Sequence, residues 1–107
     1  MTESEFNDHV DDTLQQIEDI LDDAESDLDC RNGGGILTVI CENGSQVIFT
    51  RQTPVKQLWV AARSGGFHYD YDAEKACWLR DTNQQPLNIM LEEIFTEQAG
   101  ETFSFDL

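Results

Sequence analysis

The sequence predicts an α+β fold, a two-layer α/β sandwich with an N-terminal and a C-terminal helix on one face of an antiparallel sheet of about five or six strands. Three observations support it. Apolar residues recur at helical spacing near both ends, the middle of the chain alternates with the strand period of two, and short turns rich in glycine separate the strands. The 107 residues predict a single domain, 1–107.

The first helix is predicted over residues 4–24. Its apolar positions recur at steps of three or four and are Phe6, Val10, Leu14, Ile17, Leu21 and Ala24. At about 100° per residue they fall within an arc of about 80°, and acidic side chains occupy the opposite side. Thr2 or Ser4 is suited to cap the helix, because a hydroxyl can accept a hydrogen bond from a free N–H of the first turn.

Three consecutive glycines at 33–35 end the helical pattern, and strands are predicted after them. The predicted strands are Ile36–Glu42, Gln46–Arg51, Gln57–Arg63, Phe67–Tyr71 and Ala76–Arg80. The Asn43-Gly44-Ser45 turn joins the first two of them as a hairpin. A further strand, at about Asp27–Arg31, is predicted before the glycines because Leu28 and Cys30 alternate there with acidic residues.

The second helix is predicted after Pro86, a residue suited to the first turn of a helix. A second apolar stripe follows it and consists of Leu87, Met90, Leu91, Ile94 and Phe95. Gly100 is expected to end this helix. In the tail after it, Phe103, Phe105 and Leu107 alternate with polar residues, so we expect the tail to pack against the domain.

Acidic residues dominate the composition. The chain has 22 Asp and Glu against 6 Lys and Arg, a formal charge of −16, and residues 1–29 hold twelve of the acids and no base. This excess predicts no binding to nucleic acid or to anionic membranes, and no apolar run approaches the roughly 20 residues of a membrane span. Cations and basic proteins are the expected partners.

Three cysteines without a C-x-x-C pair favour reduced thiols, and hence a cytoplasmic protein. Cys30, Cys41 and Cys77 all fall in strand patterns, so we expect small buried residues there. The N-terminus has neither the positive nor the apolar region of a secretory signal.

Repulsion between carboxylates on the acidic side of the first helix destabilises the helix. Like charges four residues apart destabilise a helix by roughly 0.2–0.5 kcal/mol per pair, and Glu18/Asp22 and Asp19/Asp23 have this spacing. A solvated face that keeps the protein soluble is one interpretation. Such faces usually mix both signs of charge, however, and the complete lack of Lys and Arg favours a binding surface for positive species.

A large aromatic residue is predicted on the open face of the sheet. If Leu58 and Val60 point towards the helices, Trp59 points to solvent together with Gln57 and Arg63. An exposed tryptophan among polar neighbours is typical of a protein-binding surface. Cover by a loop or by the C-terminal tail is the alternative.

Several of these segments together resemble the frataxin family, and bacterial frataxins in particular. The segments are the acidic first helix, the hairpin 37–45, the stretch 51–61 (RQTPVKQLWVA) and the stretch 65–70 (GGFHYD). The resemblance extends over essentially the whole chain. It implies a frataxin-like sandwich that binds iron and acts in iron–sulfur cluster assembly, with a cysteine desulfurase and an iron–sulfur scaffold protein as partners.

The resemblance also implies which residues carry these roles. The metal-binding residues, here named the acidic ridge, are Glu18, Asp19, Asp22, Asp23, Glu25, Asp27 and Asp29. The partner-binding residues, here named the sheet cluster, are Gln52, Gln57 and Trp59. Thr50 stands where the family often has Asn, which changes one polar contact of that surface.

Carboxylates are hard oxygen ligands, suited to Fe²⁺ and Fe³⁺ and equally to other hard divalent or trivalent cations. Exposed acids supply one or two ligands each, so weak binding at several sites is expected. The chain shows no nucleophile–base pair or phosphate loop, and we predict no catalytic residues and no enzyme activity. We expect a monomer when metal is absent.

Three functions follow as hypotheses. The first is an iron-binding protein that regulates or supplies iron for cluster assembly. The second is an acidic interaction module that docks on a basic partner surface, with metal binding incidental. The third, a DNA-mimic inhibitor, is favoured by the charge but not by Trp59.

Overall fold

The computed structural model describes residues 1–107 and contains two helices, six strands and a short 3-10 turn. In chain order these are α1 (Glu3–Asp22), β1 (Asp29–Gly33), β2 (Ile36–Ile40), β3 (Gln46–Gln52), the 3-10 turn (Thr53–Val55), β4 (Gln57–Ala62), β5 (Gly65–Asp72), β6 (Cys77–Arg80) and α2 (Leu87–Ala99). Each strand pairs antiparallel with the next, giving the sheet order β1-β2-β3-β4-β5-β6. The predicted α+β sandwich is confirmed. The first strand, predicted at about Asp27–Arg31, lies two residues later and includes the first of the three glycines.

Helix α1 begins one residue before the predicted start and ends two residues before the predicted end. Thr2 is the cap: its hydroxyl accepts a bond from the Glu5 N–H, and the Glu5 carboxylate accepts one from the Thr2 N–H, each at 3.1 Å. The first five residues of the predicted apolar stripe are buried, whereas Ala24 lies beyond the helix and is half-buried. The last turn of α1 contains no basic residue. The carboxylates there are therefore disfavoured by the negative end of the helix dipole, which explains why the helix ends at Asp22 rather than at residue 24.

The core lies between the two helices and one face of the sheet. Alternate residues of β2, β3 and β4 are buried against the helices: Leu37, Val39, Val47, Phe49, Leu58 and Val60. Tyr69 of β5 continues this face. Because a shift of one residue would exchange the two faces of each strand, burial of this face fixes the register of the sheet.

Helix α2 begins immediately after Pro86, which is its extended N-cap residue and lies outside the first turn. Gly100 ends the helix with φ +69°, a left-handed conformation that glycine adopts without strain. The tail packs as expected: Phe103 and Phe105 are buried, with ring centroids 5.8 and 5.6 Å from that of Phe95.

All three cysteines are free thiols. Cys30 lies in β1 and Cys77 in β6, and both are half-buried rather than fully buried. Cys41 is buried but follows the last residue of β2, because the chain already enters the hairpin turn there and the Cys41 N–H bonds to the Ser45 carbonyl at 2.8 Å.

Candidate functional site

Lys and Arg are confined to the sheet layer, whereas carboxylates occur in both layers. Helices α1 and α2 carry eleven of the 22 carboxylates and no Lys or Arg. The strands and turns of the sheet layer hold all six bases: Arg31, Arg51, Lys56, Arg63, Lys75 and Arg80. Neither helix combines the length and the apolar character needed to traverse a bilayer.

One base, Arg51 of β3, reaches α1. Its guanidinium lies 2.7 Å from the Asp11 carboxylate and 3.1 Å from the Asn7 side-chain oxygen, and it also donates to the Gly35 carbonyl at 3.3 Å. A Cβ on Gly35 would approach Arg51 Nε to 3.2 Å, so glycine leaves room for this contact. Arg51 thus neutralises charge near the middle of α1, and no base forms an ion pair with α1 from Glu18 onward.

The acidic ridge begins on the last turns of α1, continues through the connection to the sheet and ends on edge strand β1. Six of its seven carboxylates are exposed, and Glu18 is half-buried. The Asn32 side chain of β1 donates to Glu18 at 3.0 Å, which brings the end of the helix beside the edge strand. The structure therefore brings the part of the acidic ridge on α1 beside the part on β1, with the connection between them.

Only some ridge carboxylates have an internal partner. Asp19 accepts a bond from Gln15 at 3.0 Å, and Asp29 pairs with Arg31 at 2.9 Å in a contact exposed on both sides. The carboxylates without a side-chain hydrogen bond or ion pair are Asp22, Asp23, Glu25 and Asp27. No three His, Cys, Asp or Glu side chains converge so as to hold a metal ion. A cation binding here would need carboxylates that move together, with water completing its coordination.

The negative charges of the ridge carboxylates affect the pKa of the Cys30 thiol. Burial, followed by the negative charges of Asp22, Glu18 and Asp29, raises the pKa of Cys30 to about 11. Carboxylates from the helix and from the edge strand therefore act on the same side chain. The thiol is therefore protonated near neutral pH in the metal-free protein, whereas the carboxylates of the acidic ridge are hard oxygen ligands.

The connection between α1 and β1 is bound to the end of α2, a contact that the sequence did not reveal. Glu101, one residue beyond Gly100, accepts three hydrogen bonds from it: from the Ser26 hydroxyl at 2.6 Å, the Ser26 N–H at 2.8 Å and the Glu25 N–H at 3.2 Å. The bonds from the Ser26 side chain and backbone hold the pKa of Glu101 below its ordinary value.

The sheet cluster is contiguous on the face of the sheet opposite the helices. Gln52 and Gln57 are directly paired across β3 and β4. The Trp59 indole N–H donates to the Gln57 oxygen at 3.0 Å, and the Gln57 amide donates to Asp70 at 3.2 Å. Leu58 is buried and Trp59 half-buried, as expected for opposite faces of β4.

His68 of β5, rather than a loop or the tail, covers part of Trp59. The two rings stack with centroids 4.2 Å apart and planes 15° from parallel, and His68 Nδ1 lies 3.7 Å from the Asp81 carboxylate. The period of two along β5 puts His68 and Asp70 on the same face, but only the register with β4 sets them opposite Trp59 and Gln57. Arg63, expected on this face, lies beyond the end of β4 and its N–H donates to Gln98.

Comparison with known proteins by sequence gives one family. The family model described as "Frataxin-like domain" matches residues 1–101. Two curated relatives are named iron-sulfur cluster assembly protein CyaY. The protein of Pseudomonas fluorescens is 50% identical over 106 residues, 99% of this chain and 96% of the relative. That of Pseudomonas aeruginosa is 52% identical over 105 residues, 98% of this chain and 97% of the relative.

Solved structures give the same fold. The frataxin of Psychromonas ingrahamii, a member of the CyaY family, superposes with a TM-score of 0.90 at 32% identity and covers 100% of both chains. A trimeric frataxin of Saccharomyces cerevisiae, complexed with ferrous iron, has a TM-score of 0.70 at 21% identity, covering 94% of this chain and 88% of that one. The yeast likeness concerns the fold alone.

Proposed function

Because the chain belongs to the frataxin family, we propose that it is an iron-binding protein that regulates or supplies iron for iron–sulfur cluster assembly. The observation that carries the proposal is the uncommitted part of the acidic ridge. Four exposed carboxylates within residues 22–27 have no internal partner, in a chain about half identical to proteins named for cluster assembly.

The proposed metal-binding residues are those of the acidic ridge, and the cargo is Fe²⁺ or Fe³⁺. Binding is weak and occurs at several positions, because each cation takes one or two carboxylates and keeps much of its water. Other hard cations substitute for iron, since the ridge offers oxygen ligands without a rigid cage to select among them. A bound cation also relieves the repulsion between neighbouring carboxylates.

The proposed partners are a cysteine desulfurase and an iron–sulfur scaffold protein. We propose that this chain is a monomer when metal is absent. The sheet cluster supplies the specific contact, with Trp59 as the anchor held by Gln57. The ridge adds long-range attraction towards a basic partner surface and speeds association. We assign the chain to a reducing cytoplasm, with which its three free thiols agree, and we assign it no catalytic reaction.

An acidic interaction module, with metal binding incidental, is the second candidate. It is favoured by the lack of any convergent group of metal-binding side chains, set against a sheet cluster that is already ordered by hydrogen bonds and stacking. In this case regulation would depend on docking alone.

One pair of variants tests the proposal. Asp22→Asn with Asp23→Asn removes two uncommitted ridge carboxylates, and Glu93→Gln with Glu97→Gln removes the same charge from exposed positions of α2. Anaerobic Fe²⁺ titration followed by amide chemical shifts measures affinity and location. We expect the ridge variant to bind Fe²⁺ about threefold to tenfold more weakly and the control to match the unaltered protein, because ligand charge sets affinity at carboxylate sites.

The same variants separate the two candidates in a cluster-assembly assay with desulfurase and scaffold. If the ridge variant binds Fe²⁺ more weakly and loses its effect on cluster assembly while it keeps its partner affinity at moderate salt, the iron-binding proposal is supported. If it binds Fe²⁺ more weakly but retains both partner affinity and its effect at moderate salt, the interaction module is the correct function.

A further inference from the structure

The connection between α1 and β1 bends at Glu25 and Ser26, and its side chains alternate in exposure. Ala24, Ser26 and Leu28 are half-buried against the domain, whereas Glu25 and Asp27 are exposed. The alternation continues into β1, where the first residue is exposed and the second half-buried. A different backbone conformation of this bend would turn Glu25 and Asp27 away from solvent or bring Ala24 and Leu28 to the surface.

The hydrogen bonds that hold the connection in this conformation are made with residues at the end of α2. Residues 25–28 lie outside both α1 and β1, so no helix or ladder bond fixes them. Their bonds run to Glu101, and the Ser26 hydroxyl also lies 3.4 Å from the Ala99 carbonyl. Two consecutive backbone N–H groups and one hydroxyl thus meet a single carboxylate that is 75 residues distant along the chain from Ser26.

We infer that Glu101 is a positioning residue of the acidic ridge. By binding the N–H groups of Glu25 and Ser26, it holds the side chains of Glu25 and Asp27 outward, next to the last turn of α1. The inference rests on the proposed function, because it concerns how the ridge is arranged for a cation. Glu101 acts through the connection, and its own oxygens are occupied by N–H and O–H donors.

The physical reason is preorganisation. A cation shared between the end of α1 and the connection needs carboxylates from both at once, and Asp23 and Glu25 belong to different elements. If the connection were free, binding would have to order it, and the ordering would reduce the affinity. When Glu101 holds the connection, its conformational entropy is already lost on folding. Cation binding then loses less entropy, and the affinity is higher.

Glu101→Gln tests the inference, with Glu97→Gln as the charge-matched control. The substituted side chain retains one acceptor oxygen, but its amide group faces the donors of the connection. The hydrogen bonds from the Glu25 and Ser26 N–H groups to Glu101 are here named the clamp. Hydrogen exchange of these two amides measures whether the clamp is formed, and we expect their protection to fall about tenfold in Glu101→Gln. Ser26→Ala removes only the hydroxyl and leaves both N–H donors, so a smaller loss of protection is expected.

Mn²⁺ added below saturation serves as the probe of the ridge, because its unpaired electrons broaden nearby amide signals. In the unaltered protein we expect broadening at Asp22 and Asp23 and also at Glu25 and Asp27. In Glu101→Gln the broadening of the connection, measured relative to that at Asp22, should fall about threefold, since its carboxylates are no longer held in place. Glu97→Gln should leave this ratio unchanged.

The outcomes are distinguishable. Unchanged amide protection, or lost protection with an unchanged broadening ratio, would overturn the inference and leave the ridge as a metal site intact. An equal fall of the ratio in Glu97→Gln would also overturn it, because net charge would then explain the effect. If Mn²⁺ broadens nothing within residues 18–29 of the unaltered protein, the metal-binding proposal fails and the inference fails with it. The exchange data would then locate the failure in metal binding rather than in the clamp.

Discussion

The acidic ridge and the sheet cluster differ in how many of their side chains have partners within the protein. In the sheet cluster, Trp59 is bonded to Gln57 and stacked on His68, and Gln57 is bonded in turn to Asp70. In the ridge, four of seven carboxylates have no side-chain partner, and one of the remaining contacts is an exposed ion pair. Trp59 and Gln57 have hydrogen-bond partners within the protein before any other molecule binds, and the four carboxylates do not.

This difference indicates what each surface can recognise. A side chain fixed by its neighbours loses little freedom on binding and can match the shape of one partner. Adjacent carboxylates without counter-charges attract any positive species over a distance and discriminate little among them. We therefore expect specificity to reside in the sheet cluster, and salt and metal dependence to reside in the ridge.

The largest expected effect distinguishes the two tryptophans. Trp78 is 3% exposed and its indole N–H donates to Thr13 at 2.8 Å, so Trp78→Ala should cost about 3–5 kcal/mol of unfolding free energy. Trp59→Ala should cost about 1 kcal/mol or less, yet weaken binding to the desulfurase or scaffold by about 30-fold, as expected for an interface anchor. Denaturant unfolding and a binding titration measure the two quantities.

A loss of several kcal/mol of stability in Trp59→Ala would mean that this side chain belongs to the core and that the two surfaces are not separate. His68→Ala sharpens the comparison. It removes the stacked ring and keeps the indole, and it should weaken partner binding less than Trp59→Ala does.

A smaller effect is expected from metal at the ridge. A cation that binds the folded state at about ten times its dissociation constant should raise the unfolding free energy by about 1.4 kcal/mol, through mass action. Asp22→Asn with Asp23→Asn, if it weakens binding threefold to tenfold, should reduce this gain to about 0.4–0.9 kcal/mol at the same metal concentration. Without metal and at low salt, the same variant should be more stable than the unaltered protein by about 0.5 kcal/mol, because two like-charge pairs disappear.

Thermal melts with and without Mn²⁺, at low and high salt, check this prediction. A variant less stable than the unaltered protein under metal-free conditions would contradict the view that the ridge is held against repulsion. The Trp59→Ala variant is the matched control and should keep the full metal-dependent gain.

The smallest effect concerns Cys30. Its pKa of about 11, raised by burial and then by Asp22, Glu18 and Asp29, means that little thiolate forms until the pH rises well above 9. A cation on the ridge, or Asp22→Asn, weakens the negative field and should lower this pKa. Rates of iodoacetamide alkylation against pH measure it, with Cys77 as the internal reference. An unchanged rate profile for Cys30 at saturating Mn²⁺ would place the cation away from these carboxylates.

Much of the fold was predictable because its signals are local. The stripe from Phe6 to Leu21, the glycines at 33–35 and the Asn43-Gly44-Ser45 turn each act within a few residues. Both helices and all six strands were predicted within about two residues of their ends, whereas the 3-10 turn was not predicted. The errors are at ends that tertiary structure decides. The end of α1 depends on how the chain leaves for β1, and the position of Pro86 depends on its bridge to Leu79.

The candidate sites were predicted less completely, for a related reason. The carboxylates of the ridge and Trp59 are visible as residue types at known periods. Glu101 binding Ser26, Arg51 binding Asp11 and His68 stacking on Trp59 join different elements, and they depend on sheet register and helix placement. No spacing in one sequence encodes those distances.

The two borders of the sheet are closed to further strands by different means. Beside β6, Pro86 bridges to Leu79 and the loop before α2 occupies the border. Beside β1 no further strand pairs, and Asp29 and Arg31 are exposed there, with Glu18 bonded to the neighbouring Asn32. A strand from another molecule would have to bring its backbone in among these charges, which disfavours aggregation through that border. The carboxylates proposed to bind cations thus also protect the open edge of the sheet, and we expect variants that neutralise them to precipitate more readily in concentrated solution.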